Sequence, residues 1–165
     1  MREVISVGRE SLSEMRRLVG AFGPAPDPLA PPVGVGALPA LVERIQAAGL
    51  PVRLTVDGSP ANLPAGVEMS AYRIVQEALT NTLKHAGPGA QATVRLGLHP
   101  EHVDVEVTDD GAGPPADLSA TRGNGLRGIA ERVNLLGGAL STGTTPGGGF
   151  ALRAHLPVMP TGVPQ

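Results

Sequence analysis

The chain contains no cysteine and no tryptophan, and its aromatic residues are Phe22, Tyr72 and Phe150, 2% of 165 residues. Without cysteine, neither a disulfide framework nor a thiolate metal centre can form, which suits a reducing compartment. Basic residues number 13 against 15 acidic ones, for a formal net charge of −2, and no block of cations stands out. Nucleic acid is held by clustered cations and often by stacked rings, so no nucleic-acid partner is expected. No apolar run approaches the ~20 residues that cross a bilayer, and no signal peptide opens the chain. The expectation is a cytoplasmic domain with no membrane contact of its own. What remains is a hydrophobic fraction of 41%, enough for an aliphatic core, in a length that fits one domain with an appendage.

Apolar spacing organises the chain. Ile5, Leu12, Met15, Leu18, Val19 and Phe22 recur at helical intervals over residues 2–22, in a stripe that starts abruptly, as if a longer helix had been cut. Residues 23–36, "GPAPDPLAPPVGVG", read as a Pro/Gly-rich linker. A short amphipathic helix is predicted over 37–48, a strand at "VRLTVD" (52–57) and a long helix from about Val67 to Ala86. Ala92, Val94, Leu96 and Leu98 share one face of a second strand, and Val103, Val105 and Val107 one face of a third. A helix from about Leu126 to Leu136 buries Leu126, Ile129, Val133 and Leu136, with Gly137 as its C-cap. "ALST" (139–142) and "FALRAHLP" (150–157) pair across "GTTPGGG", and residues 158–165 read as a disordered tail. Several adjacent strands lack helical crossovers. The predicted fold is therefore α+β, a mixed sheet with helices packed on one face.

Three stretches carry chemistry. On the helix "SAYRIVQEALTNTLKHA" (70–86), Ala71, Tyr72, Val75, Ala78, Leu79, Thr82, Leu83 and Ala86 form an apolar stripe. Glu77, Asn81, Lys84 and His85 lie at i, i+4, i+7 and i+8 on the other side. A solvated face carries such residues too, but a carboxylate, an amide oxygen, an ammonium and an imidazole are also what a hydrated Mg²⁺ and its phosphates need. Asp109 shares the parity of Val103, Val105 and Val107, so its carboxylate points to the apolar side where the strand ends. Burying it unpaired is costly. Either the backbone of "GAG" satisfies it, or it accepts from an exocyclic amine such as adenine N6, with Gly111 and Gly113 letting the backbone approach a flat base. Finally, Gly123, Gly125 and Gly128 satisfy GxGxxG, but no strand precedes them and no acidic residue follows in "GTTPGGG". The dinucleotide fingerprint requires both. What is left is a glycine-rich helix start, either a flexible turn or a place where free N–H groups favour an anion.

Together these motifs resemble one family. "EALTNTLKHA" is similar to the N box of the Bergerat-fold (GHKL) ATPases in the form found in sensor histidine kinases, "DDGAG" to their G1 box, "GNGLRG" to their G2 box and "GGGFALRAHLP" to their last strand. The likeness runs from about residue 37 to 157. The "KHA" ending and the short segment between the G1 and G2 boxes look most like the subgroup that includes the nitrate-sensing and membrane-fluidity-sensing kinases. In that family the catalytic domain binds ATP with Mg²⁺ and follows a dimerisation and phosphoacceptor domain, whose second helix residues 1–22 resemble.

The resemblance implies roles residue by residue. Asn81 would coordinate Mg²⁺, Glu77 would orient a metal-bound water or assist proton transfer, and Lys84 and His85 would contact phosphates. Asp109 would bind adenine N6, Gly125, Leu126 and Gly128 would wrap the phosphate chain, and "PPADLSATR" (114–122) would cover it. Phe150 is a departure, since many relatives place a threonine there to support the adenine-binding aspartate. The implied activity is transfer of the ATP γ-phosphoryl group to a histidine, then to a response-regulator receiver domain, within a homodimeric kinase. The four histidines are followed by Ala86, Pro100, Val103 and Leu156. None has the acidic neighbour of a phosphoacceptor, so the acceptor is expected outside residues 1–165. A Bergerat-fold hydrolase, a non-catalytic nucleotide-sensing module and an anti-sigma-factor serine kinase remain as alternatives.

Overall fold

The computed structural model describes residues 33–60, 63–112 and 124–158, all within the unit Pro32–Gln165. The helix expected at 2–22, most of the stretch 23–36, the loop 114–122 and the tail beyond Val158 lie outside the described residues.

A 3₁₀ turn, Val35–Ala37, runs directly into helix α1 (Leu38–Ala47). Pro39 sits in the first turn of α1, where its missing N–H has no helical partner to lose. Leu38, Leu41, Val42 and Ile45 give α1 its buried side, and Val35 joins them in the core. Strand β1 (Val52–Gly58) leads to α2 (Ala65–His85), then β2 (Ala92–Leu98) and β3 (His102–Asp109) form a hairpin. Helix α3 (Asn124–Leu135) precedes a second hairpin of β4 (Ala139–Thr144) and β5 (Phe150–Pro157).

The strands form one sheet in the order β1-β2-β3-β5-β4. Only β1 and β2 run parallel, across the α2 crossover that a parallel pair needs, and the other neighbours are antiparallel. The alternation read from sequence is the burial pattern. Val94, Leu96, Val103, Val105 and Val107 are at most 1% exposed, and Leu152 and Leu156 are fully buried. That apolar face takes α2 against β2, β3 and β5, with α1 near β1 and α3 near β4 and β5. The opposite face is polar: Arg95, Asp104, Arg153 and His155 are exposed, and Glu106 bridges Arg95 at 3.6 Å and Arg153 at 2.7 Å.

Three details differ from the periodicity. Ile74, outside the expected stripe, is fully buried, because α2 is flanked on both sides. On one side Arg44 donates to the Tyr72 hydroxyl at 3.0 Å, and on the other lies α3. Helix α3 begins at Asn124, so Gly125 and Leu126 fall in its first turn. Glycine is a poor helix former, but here it permits close packing: a Cβ at Gly125 would collide with the Glu77 carboxylate of α2. Strand β4 continues to Thr144 because Gly143 and Thr144 stay in register with Ala151 and Phe150. Gly137 ends α3 as expected, with φ at +69°, and Gly138 N–H returns to the Val133 carbonyl at 2.9 Å.

Candidate functional site

Asp109 closes β3 on the apolar face, 7% exposed, directly after Val103, Val105 and Val107 on the same side. A carboxylate in that position needs donors, and three are in place. Its Oδ1 accepts the backbone N–H of Gly111 at 3.0 Å and that of Phe150 at 3.1 Å. Its Oδ2 accepts the Thr82 hydroxyl at 3.1 Å. A carboxylate has about four lone-pair sites, so Oδ1 is saturated by the backbone while Oδ2 keeps one acceptor position. Satisfaction by the "GAG" backbone and service as an acceptor are therefore compatible, one oxygen for each.

The loop after Asp109 is fixed to the end of α2. Ala112 N–H donates to the Ala86 carbonyl at 3.2 Å, and Asp110 N–H to the Gln91 carbonyl at 3.2 Å. The Asp110 carboxylate in turn accepts Gln91 N–H at 2.6 Å. Gly111 is required here by contact: a Cβ would strike the Ala86 carbonyl oxygen and Cβ.

On α2, Glu77 and Asn81 are half-buried one turn apart, whereas Lys84 and His85 are exposed in the last turn. The structure brings Glu77 against Gly125 at the start of α3. Lys84 and His85 also complement the negative end of the helix dipole. Leu126 and Gly128 lie in the first two turns of α3, and a Cβ at Gly128 would meet no atom of the described residues within 4 Å. Within the described residues, a Cβ at 125 would have to displace the Glu77 side chain, whereas one at 128 would displace nothing. Gly113 and Gly123 lie outside the described residues.

Thr82 and the Phe150 amide are contributors that sequence reading did not single out. Thr82 was readable only as one member of an apolar stripe. The signal available was a threonine hydroxyl within an apolar stripe that packs on a strand ending in a carboxylate. Phe150 offers Asp109 no side-chain hydroxyl, and the carboxylate is held instead by the Phe150 backbone N–H and by the Thr82 hydroxyl.

Comparison with known proteins agrees with this architecture. The family profile described as histidine kinase-, DNA gyrase B- and HSP90-like ATPase matches residues 66–160, more than half of the chain. The chain belongs to that family. It is similar to the sensor histidine kinase YxjM of Bacillus subtilis, 35% identical over 167 aligned residues that cover 100% of this chain and 39% of YxjM. It is also similar to the sensor histidine kinase LiaS of the same organism, 30% identical over 110 residues, 67% of this chain and 30% of LiaS. The chain thus spans well under half of either relative. Among solved structures, the blue-light activated histidine kinase of Erythrobacter litoralis superposes with a TM-score of 0.62 at 26% identity, covering 77% of this chain and 42% of that one. The chain carries the ATPase domain found in sensor histidine kinases.

Removing the Thr82 hydroxyl tests the cradle directly. Thr82→Val leaves Asp109 Oδ2 buried without its donor, a loss of ~1–3 kcal/mol for a charged acceptor. The urea midpoint is expected to fall with an unchanged denaturant slope. An unaltered midpoint would show that the hydroxyl does not support the carboxylate.

Proposed function

We propose that residues 37–157 form the ATP-binding catalytic domain of a two-component sensor histidine kinase. It would transfer the γ-phosphoryl group of Mg·ATP to a histidine on a dimerisation and phosphoacceptor domain, for relay to the aspartate of a response-regulator receiver domain. The observation that carries the reading is the Asp109 carboxylate, one oxygen saturated by backbone and the other left with an acceptor position at the buried end of β3. That is the acceptor an adenine N6–H requires, and Gly111 gives the base a flat neighbour.

From that end the nucleotide would extend toward the junction of α2 and α3. Glu77 and Asn81 offer a carboxylate and an amide oxygen one turn apart, an all-oxygen set that fits Mg²⁺. The bound ion would neutralise charge developing on the phosphates. Asn81 would hold it, and Glu77 would orient its water or receive the proton leaving the acceptor imidazole. Lys84 and His85, at the exposed end of α2, would contact phosphate oxygens. The first turn of α3, with Gly125, Leu126 and Gly128, would present N–H groups to the phosphate chain. At Gly128 a Cβ would meet none of the described residues within 4 Å, which leaves room for a group approaching from outside. In the transfer itself an imidazole nitrogen attacks the γ-phosphorus, the bond to the bridging oxygen breaks and ADP departs. The protein contributes positioning and charge neutralisation, as is general for phosphoryl transfer. Dimerisation through the upstream helices and a cytoplasmic setting belong to the same reading.

The discriminating experiment supplies a sensor-kinase dimerisation domain in trans with γ-labelled ATP. Acid-labile label on that domain is expected. Acid-stable label would favour a serine kinase, and release of inorganic phosphate with no labelled protein would favour a hydrolase.

Asp109→Asn is expected to weaken ATP binding at least tenfold by calorimetry. An asparagine can keep its oxygen toward the Gly111 and Phe150 amides, which turns its NH₂ toward N6–H. Loss of a charge-assisted hydrogen bond costs ~1.5–3 kcal/mol. Undiminished affinity in the folded variant would remove Asp109 from the adenine site.

Asn81→Ala deletes a neutral oxygen ligand from a cation otherwise held by phosphates and water. Nucleotide should still bind through Asp109, but added magnesium should no longer tighten it. Persistence of that magnesium effect would exclude Asn81 as the ligand.

A further inference from the structure

The polar face of the sheet, away from the helices, holds a second constellation. Three of the four histidines gather there, His99 and His102 from one hairpin turn and His155 from more than fifty residues further along. The strand register places Asp104 of β3 between Gly97 of β2 and His155 of β5. His102 stands two residues before Asp104 on the same strand, hence on the same face. His99 follows β2 into the tight turn, where its N–H donates to the His102 carbonyl at 2.9 Å.

The side chains converge on one carboxylate. His155 Nδ1 is 2.8 Å from Asp104 Oδ1, and His102 Nε2 is 3.3 Å from Asp104 Oδ2. The His102 ring lies between the other two, with centroids 4.4 Å from His99 and 4.8 Å from His155. One nitrogen each from His99 and His102 and one oxygen from Asp104 lie within 4.8 Å of one another. Gly97 leaves the His99 imidazole room to lie over the strand: a Cβ there would come within 2.8 Å of His99 Nε2.

We propose that His99, His102 and Asp104 bind a divalent transition-metal ion of the zinc type, with His155 holding the second oxygen of the Asp104 carboxylate. The donor set decides the class. Two imidazoles and a carboxylate suit zinc and its neighbours, whereas Mg²⁺ and Ca²⁺ call for oxygen alone. Bonds of ~2.0–2.2 Å around a tetrahedral ion put neighbouring ligand atoms ~3.3 Å apart, so small rotations of the exposed His99 and Asp104 and the half-buried His102 close the observed spacing. Three protein ligands leave a fourth position to water. The His155 contact is the kind of outer hydrogen bond that orients a ligating carboxylate. Asp104 and Asp109 lie on opposite faces of β3, ~17 Å apart along the strand, so the site is separate from the proposed nucleotide site. Its ion would tie the β2–β3 turn to β3 and, through His155, to β5.

The test is calorimetric titration of zinc chloride into the chelator-treated chain at neutral pH, with the thermal midpoint followed in parallel. One zinc per chain is expected, with a raised midpoint because the ion binds only the folded state and an affinity that falls as protons compete for the imidazoles. The double variant His99→Ala/His102→Ala should abolish binding. Asp104→Asn, which keeps the shape of the side chain, should weaken it, and His155→Gln should weaken it ~10-fold with stoichiometry retained. Circular dichroism of each variant reports whether it is folded. Absence of zinc binding by the native chain would overturn the assignment, as would undiminished binding by the folded double variant.

Discussion

A buried carboxylate governs this structure. Asp109 ends a strand whose preceding inward residues are valines, and an unpaired charge there would cost several kcal/mol. Its donors come from three separate parts of the chain: Thr82 in α2, Gly111 in the following loop and Phe150 at the start of β5. Meeting that requirement fixes the rotation of α2 about its axis, because Thr82 must face the end of β3. Successive helical residues are ~100° apart, so once Thr82 faces the sheet, Asn81 is turned to its flank. Glu77, one turn earlier, is carried against the start of α3. The geometry at one end of the site is thus inherited from a polar contact at the other.

The two faces of the sheet divide the chemistry. On the helical face, apolar packing surrounds the one buried charged side chain among the described residues, Asp109, with three donors built in. On the open face, polar groups pair across strands in successive registers, Arg95–Glu106–Arg153 in one and Gly97–Asp104–His155 in the next. Ion pairs of this exposed kind add little to stability. Their arrangement matters instead because cross-strand register gathers residues that no local spacing connects.

That difference explains what could be read from sequence. Period-2 alternation over 92–98 and 103–107 and the helical stripe of 71–86 are local, and they correctly assign the faces, the inward aim of Asp109 and the cap at Gly137. Helix edges at Ala65 and Asn124 were less legible, because glycines near both starts oppose helix by propensity while tertiary packing favours it. The partners of Asp109 were only half visible. The Gly111 amide is two residues away, but Thr82 and Phe150 lie 27 and 41 residues from it, and their contacts depend on helix rotation and strand order. The β3–β5 pairing, which brings His155 beside Asp104 across 51 residues, has no local signature, whereas the β4–β5 hairpin was legible from its turn.

Glycine placement gives the same argument a finer grain. At 111 and 125 the residue is imposed by protein atoms, the Ala86 backbone in one case and the Glu77 carboxylate in the other. At 128 no described residue imposes it. In the proposed reading the first two set the frame, docking the Asp109 loop onto α2 and α3 onto Glu77, while the third keeps clear the surface along which phosphates would lie. A side chain added at 125 would therefore act first on Glu77, by displacing its carboxylate from the α2–α3 junction. One added at 128 would meet none of the described residues within 4 Å, so in that reading its contact would be with the nucleotide. A glycine motif that looks uniform in sequence thus contains two physically different requirements, one of packing and one of access.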